Sequence, residues 1–375
     1  MNWTKFFQKK TNNLNSVSLF FFQYWLIVSG LLFLTFSCVQ QPREVTASFY
    51  HWKSHFDLTE VEKNYCHHLN VHKLYVRLFD VDWDEATHFP TPVGAIDTFS
   101  KTGFEIIPTV FITNKTFLQL PDNQIDTLVQ LVLNKINAYF IQSASLEKGK
   151  AFNEIQIDCD WTGTTRDRFF AFLKKLKILS NKKISATIRL HQVKFKDKTG
   201  VPPVDAGVLM VYNMGNLEDT STKNSILDVS ILKTYITNLK KYPIKLDIAL
   251  PIFSWGVVTR DGEVVKLINN LDDKQILATP LRKESSGQYE LIFKKLSNNH
   301  FEILKNTYLK GYYLYKDDQI RIENTADNLG ILEQSADLIS KNLDNPQLTV
   351  IFYHLDSLTL QRFRYEDLDN ILHRF

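Results

Sequence analysis

Gln156-Ile157-Asp158-Cys159-Asp160-Trp161-Thr162, preceded by Phe152-Asn153-Glu154-Ile155, is the stretch on which the reading of this 375-residue chain turns. Side chains alternate along a strand, so Gln156, Asp158, Asp160 and Thr162 share one face. Ile155, Ile157, Cys159 and Trp161 take the other. Two carboxylates this close repel each other and cost desolvation. A strand near the middle of a large chain rarely carries such a pair without a use. The pattern predicts a barrel strand whose polar face ends in an active or binding site.

Outward from this strand, the chain alternates short apolar β-type runs with helical periodicity. Strands are predicted over residues 45–52, 73–79, 104–112, 154–161, 183–190, 207–212, 245–253 and 348–353. Several are apolar nearly throughout, as parallel strands covered by helices are. Between them, Ile125, Leu128, Val129, Val132 and Ile136 mark one helix face, and Phe169, Phe172, Leu173, Leu176 and Leu179 another, capped by Thr164 or Thr165. Leu232, Ile236 and Leu239 mark a third helix, and Leu332, Ala336 and Ile339 a fourth. Strands alternating with helices in this number predict a (β/α)8 TIM barrel over residues 45–375. The segment 257–324 is too long for one connection, and its Asp261-Gly262 and Ser285-Ser286-Gly287 turns predict a small β-rich insertion after the seventh strand. The competing fold is an open doubly wound sheet, but no Gly-rich phosphate loop follows any strand.

Composition narrows the function. A net charge of +3 with no dense Lys/Arg run argues against nucleic acid. The chain holds 27 Phe, 15 Tyr and 6 Trp, which supplies a large core and rings able to stack on flat ligands such as sugars. Lys5, Lys9 and Lys10 start the chain, an apolar run spans residues 19–36, and Ser37-Cys38 closes it. This is the shape of a secretory signal. Its terminal Cys38 resembles the lipidated cysteine of bacterial lipoproteins, with residues 39–44 as a linker. The competing reading is an uncleaved membrane anchor, since a run of about 18 residues is just long enough to span. The lipoprotein reading places the protein in the cell envelope, on the outer membrane in preference to the inner. Cys66 and Cys159 are too few for a disulfide scaffold, and Cys159 reads as a small buried hydrophobe.

Barrel chemistry collects at the C-terminal ends of the strands. That rule selects Tyr50, His51 and Trp52; Asp80 and Asp82; Asp158, Asp160 and Thr162; Arg189 and His191; Tyr212 and Asn213; Phe253 and Trp255; and Tyr353, His354 and Asp356. Asp80 and Asp82 make a second acid or metal site conceivable, with a solvated loop as the plainer reading. His67, His68 and His72 do not form a metal site, because adjacent helical residues point in different directions. No metal or cofactor is expected.

Three of these strand ends together resemble family 18 glycoside hydrolases, the chitinase-like barrels. Asp158-Cys159-Asp160-Trp161-Thr162 fits the end of that family's Asp-x-Asp-x-Glu strand, with Thr162 at the Glu position. A slip of two residues instead puts Gln156 and Asp158 on the Asp positions and Asp160 on the Glu. The sixth strand, Leu209-Met210-Val211-Tyr212-Asn213, resembles the family's Met-x-Tyr-Asp. The seventh, running from Leu250 to Trp255, resembles its Gly-x-Pro-x-Tyr-Gly run. Lys316-Asp317-Asp318-Gln319, after the insertion, resembles its Tyr-Asp-Asp-x stretch. Tyr353-His354 stands near the usual Trp of the last strand.

The resemblance implies an acid on strand four and the substrate's own N-acetyl group as nucleophile, held by an inner Asp and a strand-six Tyr. Asp160 then serves as the acid, its proton affinity raised by Asp158, and Tyr212 meets the acetamido oxygen. Trp52, Asp80, Thr162, Arg189, His191, Asn213, Trp255 and Tyr353 are the expected substrate contacts. The plainer reading is a structural network of Asp158 and Asp160 with Arg189 and His191. Three classes follow: a glycosidase acting on an N-acetylated amino-sugar polymer at the envelope, a non-catalytic glycan-binding lipoprotein on a degenerate hydrolase barrel, and a structural envelope protein.

Overall fold

The computed structural model describes residues 43–100, 102–142, 152–219, 222–277, 282–283 and 289–375. The expected signal segment, Cys38 and most of the linker lie outside the described residues.

Eight parallel strands close into a barrel. They are β1 (Glu44–His51), β2 (Lys73–Asp84), β3 (Glu105–Ile112), β4 (Glu154–Asp158), β5 (Lys183–Arg189), β6 (Ala206–Met210), β7 (Leu246–Pro251) and β8 (Gln347–Tyr353). Closure is made by β1, which pairs with β8 from Glu44↔Gln347 to Tyr50↔Tyr353 and with β2 from Phe49↔Leu74 to His51↔Val76. Every predicted strand is present. The apolar runs became strands because helices bury their outer faces. Helices Glu60–His68, Ile125–Gln142, Arg166–Ser180 and Leu329–Lys341 lie in the connections, and Tyr365–Leu372 ends the chain.

Two strand ends depart from the pattern read in the sequence. β2 does not stop at Phe79 but runs on to Asp84 and pairs antiparallel with Phe89–Val93, so Asp80 and Asp82 lie within a hairpin. Asp82 Oδ1 accepts from the Thr113 hydroxyl at 2.8 Å and from the Trp83 amide at 2.8 Å, which gives it a local structural role. β4 stops at Asp158, earlier than the strand predicted to 161.

The insertion is built on a five-stranded sheet in the order Glu263–Asn269, Ser254–Arg260, Gln319–Asn324, His300–Ile303, Phe293–Ser297. It has a hydrophobic core of its own, including Val258, Ile268, Leu271, Phe301, Ile303, Leu309, Leu314 and Ile320. Its first strand begins at Ser254, so Trp255 belongs to the insertion sheet and not to β7. A hairpin of Thr307–Leu309 and Tyr312–Leu314 projects from it.

Candidate functional site

The C-terminal ends of the barrel strands surround a cavity of about 540 Å³. Its lining comes from every barrel strand end and from the insertion. Tyr50 lies near the end of β1 with Trp52 and Lys53 after it, and Asp80 and Phe111 come from β2 and β3. Asp158 ends β4 with Asp160 just beyond it, and Thr187 and Arg189 come from β5. Met210 ends β6 with Tyr212 and Asn213 after it, and Tyr353 ends β8 with His354 and Asp356 after it. Phe253, Ser254, Trp255, Asn269 and Asn270 complete it from the β7 end and the insertion.

One wall is aromatic. Tyr212 and Tyr353 stack with ring centroids 5.3 Å apart, and Trp52 meets Tyr353 at 5.8 Å. Phe253 joins Tyr353 at 5.6 Å and Trp255 at 5.3 Å. The rings therefore form one connected surface, each fixed by its neighbours. Two of them are also anchored from behind. The Trp255 indole N–H donates to Glu323 Oε2 at 2.9 Å, and Glu323 is buried with Arg321 and the Ser225 amide as further partners. The Arg77 guanidinium lies 5.8 Å from the Trp52 ring and clasps Asp80, with Nε to Oδ1 at 2.6 Å.

Asp158 sits at the foot of this wall, 7% exposed. The Thr187 hydroxyl donates to it at 2.6 Å. Burial raises its pKa to about 6, against the lowering effect of that hydrogen bond, with Asp160 adding repulsion. It is thus a carboxyl that exchanges a proton near neutral pH. Asp160 is different. Arg189 Nε and Nη2 donate to its Oδ1 at 2.5 Å and its Oδ2 at 2.7 Å, a bidentate pair that occupies both oxygens. Burial pushes the Tyr212 phenol well above its ordinary value, so it stays a neutral donor and acceptor. The same cause takes His51 down to about 3 and lowers His354, which lines the cavity.

Of the residues read from the sequence, Trp52, Asp80, Asp158, Asp160, Arg189, Tyr212, Asn213, Trp255 and Tyr353 meet in this cavity. Thr162 and His191 do not. Beyond Asp158 the chain turns, the Thr162 amide donates to the Thr165 hydroxyl at 3.0 Å, and the Thr162 side chain is exposed. β5 ends at Arg189, and the helix that starts at Leu190 carries His191 to the surface. Of the two motif registers, only the slipped one therefore puts a cavity residue, Asp160, at the acid position. No glutamate lines the cavity among the described residues.

Sequence reasoning missed Lys53, whose ammonium meets the buried Glu62 at 2.6 Å, although it directly follows a strand end that was read. Asn269 and Asn270 carried no signal, because only the folding of the insertion brings them to the rim. Asn270 ties the insertion to the loop after β8 by donating to Asp356 Oδ1 at 3.2 Å and accepting from the Thr359 hydroxyl at 2.9 Å. Cys159 and Cys66 are free and buried, and burial pushes the Cys66 thiol up to about 12. Among the described residues no group of His, Cys, Asp and Glu is placed to hold a metal ion.

No protein-family model matches the chain, and no curated protein matches it. Solved structures do. The spore cortex-lytic enzyme SleL of Bacillus cereus is similar at 15% identity and a TM-score of 0.47, over 90% of this chain and 75% of that one. A chitinase from Chromobacterium violaceum is similar at 11% identity and 0.47, over 85% of this chain and 97% of that one. The GH18 chitinase ChiB of Flavobacterium johnsoniae is similar at 10% identity and 0.43, over 89% and 94%. The likeness is one of fold alone.

Proposed function

We propose that the cavity takes an N-acetylated amino-sugar glycan, on a barrel of glycoside-hydrolase type that serves as a carbohydrate-active envelope protein. The observation that carries this reading is the meeting, in one cavity, of a connected aromatic wall and a buried carboxyl, Asp158. Ring faces take the C–H faces of sugars, and polar groups at their edges fix orientation. Asp158 accepts from an acetamido N–H when ionised and donates to an acetamido oxygen when protonated. Tyr212 supplies a second hydroxyl on the same side. The motif resemblance on strands four and six narrows the sugar to an N-acetylated one.

In the hydrolytic form of this proposal Asp160 is the acid, Asp158 and Tyr212 hold the acetamido group, and cleavage proceeds through the substrate's own N-acetyl oxygen. A second reading, binding without cleavage, is favoured by one specific contact. Both Asp160 oxygens accept from Arg189, so neither is a free O–H donor in this arrangement. Binding and cleavage of chitooligosaccharides and muropeptides by the wild type and Asp160→Asn separate these readings. Cleavage by the wild type, reduced about 10²–10⁴-fold in the variant, supports hydrolysis. Binding by both proteins with no turnover supports a binding protein. No binding and no cleavage across the panel refutes the site.

The N-terminal segment supports a further part of the proposal: acylation at Cys38, which tethers the barrel to a bacterial membrane, the outer one in this reading. Mass spectrometry of the mature N-terminus tests it, and an intact Met1 without an acyl group overturns it.

A further inference from the structure

The insertion carries an aromatic surface that the cavity does not use. In the hairpin of Thr307–Leu309 and Tyr312–Leu314, Tyr308 lies opposite Tyr313. Leu309 and Leu314 turn into the insertion core, so alternation sends Tyr308 and Tyr313 outward. Tyr308, Tyr313 and Tyr315 are 68%, 37% and 47% exposed. Their rings nevertheless touch in series: Tyr308 to Tyr313 at 4.9 Å, and Tyr313 to Tyr315 at 5.0 Å. The Arg260 guanidinium ends the row, 4.2 Å from the Tyr315 centroid, and is fixed there by two hydrogen bonds to Asp318 at 2.6 and 2.9 Å.

The hairpin that carries the row also reaches the cavity rim. Lys310, in the turn of the same hairpin, donates to the carbonyls of Asn269 at 3.1 Å and Asn270 at 2.8 Å. The same two asparagines line the cavity. One lysine side chain therefore joins the hairpin to two residues of the cavity rim. A row of exposed rings with phenol and guanidinium edges offers flat apolar faces and hydrogen bonds at their margins. That combination suits a polyhydroxylated ring, whose C–H face is apolar and whose rim is polar.

We propose that Tyr308, Tyr313, Tyr315 and Arg260 form a second contact surface for the glycan chain as it leaves the cavity over the Asn269–Asn270 rim. The inference rests on the glycan reading of the cavity and adds that the ligand is a polymer long enough to reach the insertion. A chain held at both places gains affinity from its second contact at high effective concentration. A short oligosaccharide confined to the cavity gains nothing from it.

The test uses the full chain, wild type and the triple variant Tyr308→Ser/Tyr313→Ser/Tyr315→Ser, with thermal unfolding to confirm a retained fold. Affinity is measured for N-acetylated oligosaccharides of two or three sugars and for a soluble long-chain polymer of the same sugar. The expected result is unchanged short-ligand affinity and a polymer affinity weakened by about ten-fold. Trp255→Ala is expected to weaken both. Equal polymer affinity in wild type and triple variant overturns the inference while leaving the cavity reading intact. Wild type that binds neither ligand overturns both. A triple variant that loses a protein partner, with polymer affinity unchanged, reassigns the surface to protein docking and also overturns the glycan assignment.

Discussion

Asp160 and Arg189 form a two-point ion pair across the β4–β5 seam, with Nε on one carboxylate oxygen and Nη2 on the other. The carboxylate is 44% exposed and the arginine 27%, so the pair sits at the cavity surface and not in the core. Asp158, on the same chain segment and buried, takes a hydroxyl from Thr187 instead. Two carboxyls that look equivalent in sequence therefore have different partners and different chemistry. One is neutralised by a fixed cation, and the other holds or releases a proton near neutral pH.

Arg189→Met should destabilise the fold by about 1–2 kcal/mol, between the small value of exposed pairs and the larger one of buried pairs. Chemical denaturation measures it. Stability equal to wild type means that the pair contributes no more than a loose surface contact. A glycan-cleavage assay on the same variant asks a second question. Turnover in the variant but not in the wild type identifies Arg189 as the group that keeps Asp160 from acting.

Asp158→Asn should stabilise the protein in a pH-dependent way. The folded pKa of about 6 lies above the unfolded value of about 3.9. Below about pH 4 the carboxyl is protonated in both states and burial carries no ionic penalty. Between about pH 4 and pH 6 the unfolded state releases this proton while the folded state keeps it, so stability falls across that window and levels off above about 6, where the folded state holds a buried charge. The gain in the variant should grow over this window to about 2–3 kcal/mol by pH 8, using about 1.4 kcal/mol for each pKa unit. Asparagine keeps an oxygen for the Thr187 hydroxyl. A stability difference that is flat between pH 4 and pH 8 counts against the perturbed acid.

Glu323 should matter to the cavity without touching it. Its carboxylate accepts from the Trp255 indole, the Ser225 amide and Arg321. Glu323→Ala should cost about 3–5 kcal/mol, because it strands a buried arginine and an indole N–H. Glu323→Gln keeps an oxygen for the indole and should lose less. Tryptophan fluorescence and glycan affinity should change in the alanine variant and largely recover in the glutamine one. Two variants indistinguishable by these readouts would remove the positioning role.

Gly94→Ala should loosen Trp52. Gly94 has φ +54°, and a Cβ there would collide with Arg77 Nη2 and stand 3.3 Å from Asp80 Oδ2. The backbone strain and the clash with the pair behind Trp52 should together cost about 1–3 kcal/mol. Thermal unfolding measures the loss. A melting temperature unchanged within about 1 °C would show that the hairpin shifts freely, against an expected drop of about 2–4 °C per kcal/mol.

Most of the fold was legible because its signals are local. The apolar runs that became β3, β6 and β7 sit in the primary sequence, and each needs only a covering helix to be buried. The strand-end rule likewise found Trp52, Asp158, Arg189, Tyr212 and Tyr353, since a barrel places all such ends at one mouth. The errors come from assuming that strands continue. Thr162 and His191 keep the alternation of β4 and β5 on paper, but the Thr162–Thr165 turn and the helix from Leu190 end it. Asn269 and Asn270 were invisible, because nothing in a β-rich insertion says which of its loops faces the barrel.

The sequence by itself determined the eight strands and their inward faces, with Asp158 at the end of β4, because alternation and apolar runs are properties of neighbouring residues. Only the tertiary structure decided the partners. Asp160 meets Arg189 across 29 residues, Trp255 meets Glu323 across 68, and Asn270 meets Asp356 across 86. Contacts of that span depend on strand register and on how the insertion docks. The free energy of a carboxylate depends on which cation or hydroxyl stands beside it, and chain order does not encode that directly.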